Sequence, residues 1–280
     1  QITLNDVSYS YPGSTQTVLD GVRAVFPVGW TGIIGNNGCG KSTLARIATG
    51  MLAPDSGTVS PRGLVVAYCE QDATIPPDRL EDFACSWEQT AVRLRVDLGV
   101  DDDWPWRYDM LSSGQQKRLQ VAVALWENPD VLVMDEPTNH VDVLTRRAIL
   151  RALAGYRGVG LLISHDRELL DALAGQCLCF EGARVVMRPG GYTQAGEQAA
   201  CDTKTAQRQR RDAKREAARI QAEAARRRNE ASKSDAKRSA RHLDAKDHDG
   251  KGRIKLAVYT GKDGVAGKLS SRMDARLEKV

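Results

Sequence analysis

The sequence predicts an α/β fold built on a mainly parallel sheet and followed by an α-helical arm. Three observations predict it. Short apolar runs alternate with helical patterns as far as residue 195, the composition turns to Ala, Arg, Lys, Gln and Glu beyond Gly196, and the charge balance changes sign between the two stretches. Residues 1–195 hold 17 Lys and Arg against 23 Asp and Glu, whereas residues 196–280 hold 23 against 13. An acidic globular part with a basic sequel suggests a polyanionic partner for the sequel.

The elements follow in order. The opening Gln1, Ile2, Thr3, Leu4 alternates like a strand. Apolar runs at 22–26, 30–34, 64–68, 131–134, 160–163 and 176–180 have strand length. Between them lie helical patterns at 41–49, closed by Gly50, and at 79–97, 114–127, 142–154 and 166–174. Strands alternating with helices imply a largely parallel sheet with helices on its faces. Pro189, Gly190 and Gly191 end the last strand and mark a boundary. Residues 204–241 then carry 14 basic and 5 acidic side chains, with Ile220 the main large apolar one. A helix polar all round cannot bury itself in a core, so this arm must meet solvent or a partner. Interruptions at 247–252 and 261–267 predict an irregular tip, and from Lys268 the composition predicts a returning helix.

Composition narrows the classes further. No run approaches the ~18 consecutive apolar residues of a membrane span. The six cysteines lack zinc spacing and His partners, which favours a reduced, cytosolic protein. The chain opens without a basic-then-apolar leader, and its lack of an initial Met suggests processing or trimming. Cys177 and Cys179 alternate on one strand face as small buried hydrophobes. Trp104, Pro105 and Trp106 suggest packing or a turn, and 101–103 a solvated loop.

The chemistry begins at Gly35-Asn36-Asn37-Gly38-Cys39-Gly40-Lys41-Ser42, which fits G-x-x-x-x-G-K-[ST] between a predicted strand and a predicted helix. The glycines let backbone N–H groups curl round phosphate oxygens, and a helix N-terminus favours their charge. Lys41 is placed to reach the β- and γ-phosphates and Ser42 to ligate Mg²⁺, with Thr43 in the same nucleotide-binding turn. Far downstream the apolar run 131–134 ends in Asp135 and Glu136. An acid at such a strand end can hold hydrated Mg²⁺, which suits Asp135 and leaves Glu136 to polarise an attacking water.

Leu111, Ser112, Ser113, Gly114, Gln115 and Gln116 open a helix about twenty residues before those acids. They resemble the signature motif of ATP-binding cassette proteins. Gln71 resembles the family's Q-loop glutamine, His165 its switch histidine, and Tyr11 the aromatic that stacks on adenine. Asp135-Glu136-Pro137-Thr138-Asn139-His140-Val141-Asp142, with Ser164-His165-Asp166-Arg167, is similar to the F subfamily, the soluble ABC-F proteins of translation. The resemblance covers about 1–195. It implies a P-loop NTPase cassette with an antiparallel β subdomain and a small helical subdomain, then a basic helical linker over 196–280, cut partway along its returning helix.

The resemblance also implies ATP and Mg²⁺ as ligands. Gln71 would join Ser42 and Asp135 at the metal, and Glu136, His165 and Gln71 would form the catalytic set. Ser112, Ser113, Gly114 and Gln115 would cap the γ-phosphate held by a second cassette, which the family usually carries in the same native chain. Two departures stand out: Ser113 replaces the signature's first glycine, and one cassette is present. The roughly 40 residues between Gln71 and the signature leave little room for the subfamily's arm insertion. The implied function is a cytoplasmic ATPase, without membrane contact, that inserts its linker among ribosomal RNA and tRNA as a translation factor or antibiotic-protection protein. The alternative is the ATPase subunit of an ABC transporter, which explains the cassette motifs but neither Asn139-His140 nor the arm. A DNA-binding or structural cassette would carry its coiled coil inside the cassette.

Overall fold

A computed structural model describes residues 1–139, 141–182, 184–238 and 249. Its strands are β1 (Ile2–Ser10), β2 (Thr17–Phe26), β3 (Gly29–Ile34), β4 (Ser56–Ser60), β5 (Val66–Cys69), β6 (Val131–Asp135), β7 (Val159–Ile163), β8 (Ala174–Glu181) and β9 (Arg184–Pro189). Its helices are α1 (Lys41–Ala48), α2 (Leu80–Cys85), α3 (Gln89–Leu98), α4 (Ser113–Trp126), α5 (Val143–Ala154), α6 (Arg167–Leu173) and α7 (Tyr192–Arg238), with a 3-10 segment over Trp104–Met110. The tip expected at 247–252 and 261–267, and the returning helix from Lys268, fall outside the described residues except at Asp249.

The larger sheet runs β5-β6-β7-β3-β8-β9. All neighbours are parallel until β9, which returns antiparallel to β8. The apolar run of β6 proves two-faced, as a strand buried on both sides must be. Val131 and Val133 pack with Ile33, Leu44 and Ile47, while Leu132 and Met134 pack with Phe83, Leu119 and Ile149. The smaller sheet, β2-β1-β4, is antiparallel and brings Ile2, Leu4, Val7 and Phe26 to the first of those cores. A register shift between Leu4 and Val7, with Asp6 at φ 49, keeps both side chains inward. Opposite it Gly57 sits at φ +88, where a Cβ would collide with the Asp6 carbonyl oxygen. Only glycine fits there.

Two expectations need correction. The helix expected over 79–97 is broken into α2 and α3, because Ser86 (ψ 125) and Glu88 (ψ 145) are extended. Arg95 is almost wholly buried, and its guanidinium donates to the carbonyls of Phe83 and Ser86, both at 2.9 Å. That satisfies chain-end acceptors which an apolar pattern does not announce. β4 was not expected: Ser56-Gly57-Thr58-Val59-Ser60 is polar, and its pairing with β1 makes it a strand.

The start of α7 is tied down: Thr193 donates to Asp171 through its backbone N–H (2.8 Å) and its hydroxyl (2.5 Å). A second compact unit begins at Ala200. Within it the described side chains up to Glu230 are exposed, save a strip of Ala217, Ile220, Ala224 and Arg227. Their three-four-three spacing puts them on one helix face, so the arm is not polar all round. Among the described residues no helix is long and apolar enough to cross a membrane.

Candidate nucleotide-binding site

The loop 35–40 leaves β3 and enters α1, and its glycines are there for space and backbone angle. A Cβ on Gly35 would meet Cys39 Sγ at 2.7 Å and Phe180 Cβ at 2.8 Å. Gly40, at φ 104, would meet Val18 Cγ1 at 2.8 Å. Lys41 is nearly buried, and its ammonium donates to the carbonyls of Gly35 (2.9 Å) and Asn36 (3.0 Å). The cation therefore lies curled inside the loop that would wrap phosphates.

Ser42 donates its hydroxyl proton to Asp135 Oδ2 at 2.8 Å, across 93 residues of sequence. Tyr68 donates to the same oxygen at 3.2 Å. Its phenol is pushed well above the ordinary tyrosine range, first by burial and next by the Asp135 charge. It therefore stays a donor. The next residue after Asp135, Glu136, holds a left-handed backbone (φ 47), fixed by its N–H bond to Ile163 O at 2.8 Å. Its Oε2 accepts from the His165 backbone N–H (3.3 Å), and His165 Nε2 lies 3.7 Å from Oε1. Oε1 itself is buried without a hydrogen-bond partner. Burial raises the Glu136 carboxyl above the usual glutamate value, partly opposed by the His165 N–H bond. His165 Nε2 also meets Asn37 Oδ1 at 3.1 Å, joining the switch position to the loop.

These side chains share one cleft of about 620 Å³, lined by Tyr11, Asn37, Gly38, Gly40, Lys41, Ser42, Thr43, Gln71, Asp135, Glu136 and His165, with Ser14, Gln16, Val18, Asn139 and Ile163. Tyr11 stands half-exposed at the rim, its hydroxyl 2.8 Å from Thr43 Oγ1 and its ring edge-on to Tyr9. A Mg²⁺-bound nucleoside triphosphate fits this donor set. The glycine cradle admits backbone to phosphate, Ser42 and Asp135 offer hard oxygens to a divalent cation, and Glu136 Oε1 awaits a donor.

Ser112, Ser113, Gly114 and Gln115 are not among the residues lining that cleft. They begin α4, where Ser112 accepts from the Gln115 N–H and Gln115 Oε1 accepts from the Ser112 N–H, a reciprocal cap. Ser113 is exposed at the first helical position. Sequence reasoning missed Tyr68, the Asn37–His165 contact and the buried Lys117. Trp104 is buried and Trp106 exposed, so the packing expected of that pair applies to one of the two. Cys177 is fully buried and Cys179 partly so, both as free thiols.

Residues 24–139 match the family described as "ABC transporter". The chain is 34% identical to the ATP-binding protein Uup of Escherichia coli, covering 69% of this chain and 32% of that protein. It is 33% identical to the ribosome protection protein VmlR of Bacillus subtilis (69% and 33%) and 32% identical to the energy-dependent translational throttle protein EttA of Haemophilus influenzae (69% and 37%). The chain spans about a third of the length of these relatives. In fold it is similar to an ATP-binding cassette bound to ADP and Pi, at a TM-score of 0.57 and 18% identity over 68% of this chain and 98% of that one.

Proposed function

We propose that this chain, which carries an ATP-binding cassette domain and has ABC-F proteins among its curated relatives, is the first cassette (1–195) and basic linker (196–280) of a cytoplasmic ATPase that acts on the ribosome. The observation that carries the ATPase part is the convergence of Lys41, Ser42, Asp135, Glu136 and His165 on one cleft. In this proposal Lys41 and the loop N–H groups bind the phosphates, and Tyr11 stacks on the adenine. Ser42, Asp135 and Gln71 would hold Mg²⁺, which would supply neutralisation of the phosphate charge. Glu136 accepts the proton of the attacking water, the task for which a raised carboxyl is suited. His165 orients Glu136 through the 3.3 Å backbone bond and faces the loop through Asn37.

The Ser112–Gln115 turn lies outside the cleft, which supports a divided site. In that arrangement the turn caps ATP bound by a second cassette of the native chain, and the isolated chain hydrolyses ATP weakly. The ribosomal part rests on the exposed cations of α7 and on relatives named for ribosome protection and translational throttling. Co-sedimentation of the full-length protein carrying Glu136→Gln with 70S ribosomes tests it. ATP-dependent binding is expected. Absence of binding, with ATP still bound, leaves the transporter-subunit alternative in its place.

A further inference from the structure

One buried cation outside the nucleotide cleft has no part in that scheme. Lys117, two residues beyond the signature turn on α4, is 3% exposed. Its ammonium donates to Glu70 O (2.8 Å), Gln71 O (3.1 Å) and Gln120 Oε1 (2.9 Å), so all three protons are used. Two of those acceptors are backbone carbonyls 46 and 47 residues away, and one belongs to Gln71 itself. Nearby contacts reinforce the tie. The Tyr108 hydroxyl donates to Ala73 O, and Gln116, beside Lys117, donates to Tyr108 O at 3.2 Å. The first turns of α4 thus grip the segment 70–73 at three of its carbonyls, directly or through one intermediary.

An apolar side chain of Lys117's length would fill the same space without desolvating a charge. Burial indeed presses the Lys117 ammonium below its ordinary range. What an apolar side chain lacks is the ability to hold two carbonyls in fixed directions. We propose that Lys117 is a positioning residue, fixing the backbone under Gln71 so that the Gln71 side chain is presented to Mg²⁺ in the adjoining cleft. The proposal rests on the assignment of Gln71 to the metal made above. It also gives the signature turn a mechanical tie to the chain's own metal site, since Lys117 and Ser112–Gln115 share one helix start.

The test titrates Mg²⁺ into the 280-residue chain at fixed ATP, reading nucleotide affinity by calorimetry, and measures ATP affinity separately in EDTA. Lys117→Met is expected to leave metal-free ATP affinity unchanged, because Lys41 and the loop govern it. The Mg²⁺ concentration for half-saturation should rise about tenfold, the low end for removal of an outer-shell partner of a metal site. Lys117→Arg, which keeps the donors, should restore most of the affinity. Gln71→Ala should match Lys117→Met, and the double variant should be no worse than either, as for two residues acting in series. Where Lys117→Met fails to fold, Lys117→Gln, with one amide donor set, is expected to shift the Mg²⁺ midpoint in the same direction. A wild-type midpoint in a folded Lys117 variant, beside a raised one in Gln71→Ala, overturns the inference and spares the Gln71 assignment. Additive effects overturn it too. An unchanged midpoint in Gln71→Ala removes the assignment, and the inference with it.

Discussion

The two units of this chain use charge in opposite ways. In the unit Gln1–Ala199, the important charged groups are few, buried and individually placed: Lys41, Asp135 and Lys117 each have at least two named partners. Among the described residues beyond Ala200 the charges are many and mostly exposed, and several are locally paired. Arg208 faces Asp212, Arg219 faces Glu216, Arg226 faces Glu230 and Arg227 faces Glu223, all one helical turn apart. Such surface pairs contribute at most a few tenths of a kcal/mol each and yield readily to a better anion. A buried charge acts through position, and an exposed array acts through its field. The first should therefore be broken by single atoms and the second only by numbers.

The largest expected effect is at a single atom pair in the cleft. Glu136→Gln should lower ATP turnover by at least about a hundredfold while sparing ATP binding, as removal of a general base requires. Steady-state turnover within a few-fold of wild type would remove Glu136 from that role. In the arm one substitution should do little. Neutralising Arg208, Arg211 and Arg215 together should lower the slope of log affinity for ribosomal RNA against log salt by roughly 2–3, at about 0.7–0.9 for each phosphate left without its arginine. An unchanged slope would reduce those arginines to a solvated face.

Backbone substitutions sharpen the contrast further. Gly57→Ala should destabilise the cassette by about 1–3 kcal/mol, from left-handed strain at that residue alone and more from its clash with Asp6. Ala213→Gly in the exposed arm should cost only about 1 kcal/mol of helix propensity. Denaturant melts followed separately through the cassette tryptophans and helix ellipticity compare the two. The smallest effect is a displacement along the pH axis. Burial favours the neutral Glu136 acid, and a protonated carboxyl cannot accept a proton from water. Turnover should therefore fall as pH drops through a value above the ordinary glutamate pKa of about 4.3. A kcat profile whose acid limb lies at or below that value contradicts the assignment.

The α/β unit was legible in the sequence where the signal lies in contiguous residues. The loop 35–40 with Lys41 and Ser42 is one such case, and the apolar strand ending in Asp135 and Glu136 is another. Legibility failed where structure depends on residues far apart. Tyr68 reaches Asp135 across 67 positions and Asn37 reaches His165 across 128, and no local pattern encodes either meeting. β4 was illegible because its strand character lies in its partner and not in its own polar side chains. The break at Ser86 was hidden by apolar positions on both sides that continue a helical rhythm. Arg95, which completes that break, is a single charged residue whose burial no local pattern announces. The strip Ala217, Ile220, Ala224 and Arg227 was overlooked because three of its four members are too small or too polar to register as a hydrophobic face.

The left-handed backbone at Glu136 sets a trap for anyone improving this protein by heat selection. A glutamate at φ 47 sits where its own backbone would rather not be, and relief of such strain is of order 1–3 kcal/mol. Glycine accepts that angle freely and asparagine nearly so. Either would also remove a carboxylate oxygen buried without a hydrogen-bond partner. A library screened for melting temperature alone should therefore enrich Gly or Asn at position 136, and its most durable members would lack the carboxylate proposed to accept the proton of water.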